Sequence, residues 1–165
     1  MNSRVIDGLR VLIFFMLAGL LLAQVVVLPN EAALAARMHP EVAGLRWPLL
    51  TLAILGVGAV QVVLVLIMRL LTLVEDGKVF SPAAFGFVDG IIRAAVAGVA
   101  IAVMATVVLF AGGAGHPGPL LVLVATGMFA GGIALLMAVM RALLVRAVAL
   151  DAETLALHAE LEGVI

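Results

Sequence analysis

The stretch LLTLAILGVGAVQVVLVLIMRLLTLV, residues 49–74, contains no Asp, Glu or Lys, and its only strongly polar side chains are Gln61 and Arg69. A helix covers the ~30 Å of hydrocarbon in a bilayer with about 20 residues, so this segment reads as a membrane span. Working outward, residues 9–28, 91–111 and 120–144 are also long enough and apolar enough to cross. The chain therefore reads as all-α: a four-helix transmembrane bundle. Residues 1–165 form a single four-span membrane domain, and residues 145–165 extend the fourth helix as a helical tail.

Composition narrows the class further. With 66% hydrophobic residues, 12% charged residues and a mean hydropathy of +1.37, the chain is far outside the range of soluble domains. A net charge of −1, with the basic residues banded beside the spans, argues against a direct nucleic-acid partner, which needs a phosphate-neutralising patch. There is no cysteine, which removes disulfides, thiolate metal sites and cysteine nucleophiles. The first apolar run is longer than the core of a secretory signal, so despite the small-residue pattern Ala33-Leu34-Ala35 it reads as a retained anchor helix.

Basic residues set the expected orientation. With the N-terminus in the cytoplasm, Arg4, Arg10, Arg69, Lys78, Arg93, Arg141 and Arg146 lie inside, and only Arg37 and Arg46 lie outside. That asymmetry predicts a multi-pass membrane protein with both termini cytoplasmic. Pro29-Asn30 is expected to stop the first helix at Leu28. Helical character is expected to resume over residues 31–38 until Pro40 breaks it, giving an outer segment that caps the outer mouth. Trp47 beside Pro48 stands where an indole settles among headgroups. Glu75-Asp76-Gly77-Lys78 forms the inner turn, and Ser81-Pro82 is an N-cap followed by proline at the first helical position, so the third helix is expected to start near Pro82. The Gly- and Pro-rich run 112–119 is the second outer turn. No breaker separates Leu120 from Glu162, and Leu143, Ala147, Leu150, Thr154, Leu157, Leu161 and Val164 follow heptad-like steps.

Several constellations could carry function. Arg10, Arg69, Arg93 and Arg141 place one guanidinium on each span near the inner boundary, a belt suited to anionic lipid headgroups. Side chains that merely snorkel and enforce topology account for the same belt. Gly86, Gly90, Ala94, Gly98 and Ala102 repeat a small residue at every fourth place on the third span, and Gly127 with Gly131 does the same on the fourth. Such ridges let helices approach closely in lipid, either within one chain or between copies. Gln24 and Gln61 are the most polar groups deep in any span, and each needs a hydrogen-bonding partner. Counted from the span ends Leu28 and Leu49, Gln61 lies much deeper than Gln24, which leaves direct pairing open.

Catalytic chemistry has little to stand on. Glu31, His39, Glu41 and His116 are metal-ligating types, but their spacing fits no metal signature and they read as solvated loop residues. Gly113-x-Gly115-x-x-Gly118 follows no strand and contains Pro117, so the dinucleotide fingerprint is rejected. Ser3 and Ser81 are the only serines and no acidic dyad occurs within a span, which leaves intramembrane hydrolysis without a nucleophile. The reading is a non-enzyme with no cofactor and no metal.

Three further stretches carry a resemblance: MHPEVAGLR at 38–46, LLTLVEDGKVFS at 70–81, and ELEGVI at 160–165. In their order along the chain they resemble a bacterial membrane family, domain of unknown function 2975. Relatives often follow GKVFS with a more polar helix start, where Pro82-Ala83-Ala84-Phe85 stands here. The resemblance implies no activity. Because similar proteins are often encoded beside small helix-turn-helix regulators, it implies a cytosolic transcription regulator as partner. The expectation is a docking or regulatory platform on the cytoplasmic side, formed by the 75–90 loop, with Gly77, Lys78, Phe80 and Ser81 as its docking residues, and by the 145–165 tail. The alternative is a subunit of an oligomeric pore or a transporter accessory, with membrane lipids and a second copy as its partners.

Overall fold

The computed structural model describes residues 3–75, 82–113 and 117–162. Every element among them is helical: α1 Ser3–Leu22, a π turn Ala23–Val27, α2 Leu28–Met38, a 3-10 turn Pro40–Leu45, α3 Arg46–Glu75, α4 Pro82–Ala111 and α5 Pro117–Glu162. Four segments are long and apolar enough to cross a membrane: Ile6–Met38, Ala43–Leu73, Phe85–Ala111 and Pro117–Leu150. The chain is thus a multi-pass, all-helical membrane protein. Successive passes alternate between a terminal end, where α1 and α4 start and α3 and α5 finish, and a loop end, where α2 and α4 finish and α3 and α5 start.

The first span differs from expectation. Pro29 does not stop the helix at Leu28; helical geometry continues through it to Met38. A proline inside a helix lacks the N–H that would bond four residues back, and its ring crowds that carbonyl. Here the preceding turn widens, so that the Leu28 N–H donates to the Ala23 carbonyl. A single-turn π bulge of this kind makes room for the ring without unwinding the chain. The true end is His39, at φ −129° and ψ 77°, because the residue before Pro40 is pushed out of the helical region.

Beyond that corner the helices are packed in sequence. α4 lies between α3 and α5 with extensive contact on both sides, whereas α1 rests more lightly on α3. Among the described residues α1 and α5 make no comparable contact, so the four passes form an open row rather than a closed ring. The buried residues Ile91, Ala95, Ala102, Ala105 and Leu109 form one stripe along α4. None of the spanning window of α5 is buried within the chain, and Phe14, Phe15, Met128 and Phe129 are all largely exposed. Apolar surface on this scale needs hydrocarbon or another protein against it.

Small residues set the α4–α5 spacing. A Cβ added at Gly98 would sit 3.6 Å from the Ala130 Cβ, and one at Gly127 would sit 3.5 Å from the Ala102 Cβ. Gly113, at φ +71°, ends α4, with its N–H bonded to the Phe110 carbonyl and the Gly112 N–H bonded to that of Val108. Next to it, Leu45 of the 3-10 turn presses directly on Gly112, where a side chain would collide with the leucine methyls.

The spacing at Gly98 gives a graded prediction. Gly98→Ala is accommodated at ordinary van der Waals distance, while Gly98→Leu overpacks against Ala130 and destabilises by about 1–3 kcal/mol. Thermal melting in mild detergent distinguishes them; a leucine variant that melts with the parent would show that α4 and α5 do not pack closely here.

Candidate functional sites

Midway along the first two passes, the Gln61 Nε2 donates to the Gln24 Oε1 at 2.9 Å, and the Gln24 Nε2 donates to the Ile54 carbonyl at 3.0 Å. Ile54, Gly58 and Gln61 share one face of α3, and the missing side chain at Gly58 leaves room for the Gln24 amide, 3.9 Å from where a Cβ would be. The π turn makes this meeting possible. Because the helix continues past Pro29, Gln24 lies almost as far before its end at Met38 as Gln61 lies after the start of α3 at Arg46. The two amides are therefore level. Counting depth from Leu28 misses this, since the helix does not end there.

Two ion pairs tie helices together nearer the terminal end. Arg10 Nη2 lies 2.6 Å from Glu75 Oε2 and 3.4 Å from the Thr72 hydroxyl, joining α1 to the last turns of α3. Arg141 grips Asp89 with two bonds, Nε to Oδ1 and Nη2 to Oδ2, the latter at 3.2 Å, joining α5 to α4. Both pairs are partly exposed, as suits charges that stay near the membrane boundary. Asp89 sits inside the span Phe85–Ala111 and Arg141 inside Pro117–Leu150, where each charge lowers the other's cost of burial.

The arginine belt is thus divided. Arg10 and Arg141 are held in separate pairs on different helices, while Arg69 and Arg93 are exposed and have no partner among the described residues. Sequence reading places Arg141 at the inner boundary but does not find its partner. A signal exists: Asp89 is about as far from the end of α4 as Arg141 is from the start of α5, so antiparallel packing sets them at similar depth.

The small residues divide between two interfaces. Gly90 faces Leu66 of α3, with a Cβ position 2.9 Å from the leucine Cδ1. Gly98 and Ala102 face Ala130 and Gly127 of α5, and Gly131 faces Val99. Ala94 is half-buried, and Gly86 has open space around it. The docking loop Gly77, Lys78, Phe80 and Ser81 lies outside the described residues.

The loop end holds a feature with no counterpart in the sequence reading: a cavity of about 490 Å³. It is lined by the face Leu28, Ala32, Ala35 and Ala36 of α2, by Leu49, Leu50 and Ala53 of α3, and by Leu109 of α4 and Pro119 of α5, and it is open on one side. Glu31, His39 and Arg46 are its polar lining residues. The Arg46 guanidinium carbon lies 5.2 Å from the centre of the Trp47 ring, a cation–π distance, and its Nε is sealed from solvent without a hydrogen-bond partner. The periodic alanines 32, 35 and 36 are legible as helix, but their use as a wall depends on α3 turning back beside α2 after the corner at Pro40, which no local pattern states.

With the geometry in place, comparison with known proteins identifies the lineage. A family described as protein of unknown function (DUF2975) matches residues 30–165. The chain belongs to that family. The match takes in most of α2 and all of α3, α4 and α5, and with them the cavity, the Asp89–Arg141 pair and the small-residue interfaces of this DUF2975 protein. The chain matches no curated protein and no solved structure.

The glutamine tie is open to a double-mutant cycle. Gln24→Leu, Gln61→Leu and the double variant, unfolded reversibly in micelles, are expected to show a coupling energy of about 0.6–1.7 kcal/mol. Strictly additive effects would show that the amides do not interact in the folded protein.

Proposed function

We propose that this protein is a non-enzymatic platform in the bacterial inner membrane, with its terminal end in the cytoplasm as the docking face for a soluble regulator of helix-turn-helix type. The excess of arginine and lysine at the terminal end supports this orientation, and four passes return the chain to the side where it began. One observation carries the docking role. α5 runs unbroken for 46 residues, about 69 Å at 1.5 Å per residue, more than twice what the hydrocarbon requires. In this reading its far part projects beyond the membrane as a helix continuous with the bundle, and Ala147 and Leu150 on its stripe, past residue 144, are exposed. A helix with exposed apolar residues at heptad-like spacing is a surface that a partner helix fits.

The open row favours a second reading, association with another copy as a subunit of an oligomeric or transporter-accessory assembly. Its support is that α1 and α5 leave the row unclosed and that the spanning part of α5 contributes no buried residue within the chain.

Truncation after Val145 tests the first reading. Co-purification of a small helix-turn-helix regulator from membranes is expected with the full chain and lost with the truncated one; equal recovery from both, or no such regulator with the full chain, would count against docking by the tail. For the second, the absence of native cysteine makes Met128→Cys a clean probe, since Met128 is 73% exposed on α5. Disulfide-linked dimers in native membranes are the expected result, and a chain that stays monomeric under oxidation would remove the α5 face as a self-association surface.

A further inference from the structure

The loop-end cavity lies at the opposite end from the projecting tail and has a chemistry of its own. Its walls are almost wholly apolar, and alanines along α2 and α3 keep them smooth and wide. Its lining includes a half-buried cation, Arg46, and an exposed anion, Glu31, which form no ion pair with each other or with any described residue. A cation and an anion lining one cavity without pairing are an arrangement that one ligand carrying both signs would complete.

The arginine makes the stronger demand. Its guanidinium is half-buried, lines the cavity and donates to no described residue, and the cation–π contact with Trp47 holds its plane without using its N–H groups. A half-buried cation without an anion is costly. A phosphate oxygen meets both the charge and the directionality of a guanidinium. The depth is also suitable: Trp47 is 67% exposed beside the cavity, and an exposed indole on a spanning helix sits at the headgroup level. The volume, about 490 Å³, is within the range of small-molecule sites and holds a headgroup with the upper part of one acyl chain.

We propose that this cavity binds a zwitterionic phosphoethanolamine-type membrane lipid, with its phosphate on Arg46, its ammonium facing Glu31 and its chain along the alanine wall of α2. Arg46 supplies affinity for the anion, and Glu31 supplies the preference for a zwitterion over a bare anion.

Native mass spectrometry of the full-length protein in neutral detergent tests this with four probes and a blank: lysophosphatidylethanolamine with a dodecanoyl chain, dodecyl phosphate, dodecanol and free phosphoethanolamine. The lysolipid is expected to give one saturable adduct, held about tenfold or more tighter than dodecanol. Arg46→Gln is expected to weaken both phosphorylated amphiphiles about tenfold. Glu31→Gln is expected to abolish the preference for the lysolipid over dodecyl phosphate. Ala35→Leu, which fills the chamber and leaves both charges in place, is expected to remove the adduct, and it serves equally if Arg46→Gln fails to fold. Dodecanol binding as tightly as the lysolipid, or adducts unchanged by either Arg46→Gln or Ala35→Leu, would overturn the site. Free phosphoethanolamine binding as well as the lysolipid would overturn the membrane lipid as its source. A preference that survives Glu31→Gln would overturn the role of the carboxylate.

Discussion

Within hydrocarbon a peptide carbonyl without a donor has no water to turn to, so a proline inside a spanning helix must be accommodated by the helix itself. Pro29 presents that problem, and the π turn over Ala23–Val27 answers it. The rest of the loop end depends on that answer. Because the helix continues, Gln24 reaches the level of Gln61 and the two amides satisfy each other in the membrane interior. Because it continues to Met38, there is an α2 at all, and α2 provides the alanine-rich wall of the cavity. A helix that ended at Leu28 would have neither.

The terminal end is held differently. There the attachments are ionic, Arg10 with Glu75 and Arg141 with Asp89, and each joins a pair of adjacent passes near a water boundary. Between the two ends, burying apolar side chains gains little over leaving them in lipid, so closeness of approach decides which helices associate. Gly98, Gly127 and Gly131 give α4 and α5 that closeness, and Gly56 and Gly90 do the same between α3 and α4. Where α1 meets α3 the small residue is Gly58, and it is the glutamine tie that fills the space beside it. The lighter packing of α1 follows from this: it is attached at a few polar points rather than along a continuous small-residue face.

What can be read from the letters divides along the same line. Span number follows from long apolar runs, and the start of α4 at Pro82 and the unbroken course of α5 follow from local signals that tertiary contacts have no reason to override. Pro29 misleads because the rule that proline ends a helix holds for helices with water as an alternative partner, and a neighbouring π turn is not marked in the sequence. The error then propagates: depth counted from Leu28 separates Gln24 from Gln61, although both stand out by their polarity. Asp89 and Arg141 are both visible, and only the antiparallel register links them. The cavity is the least legible feature, because its lining comes from α2, α3, α4 and α5, and no local segment contains it.

The two ends also differ in how their charges are used. At the terminal end Arg10 with Glu75 and Arg141 with Asp89 use their charges to join neighbouring helices, while Arg69 and Arg93 stay exposed outside such pairs. At the loop end Glu31 and Arg46 face a common chamber and neither is consumed in this way. The guanidinium of Arg46 is half-buried in the cavity lining, and the indole of Trp47 holds it there at a cation–π distance. Leu45, seated against Gly112, fixes the 3-10 turn that delivers Arg46 to this place. The position of the arginine is therefore built by three separate elements, the corner at Pro40, the contact with Gly112 and the stacking on Trp47, which is more structure than a solvated loop charge requires.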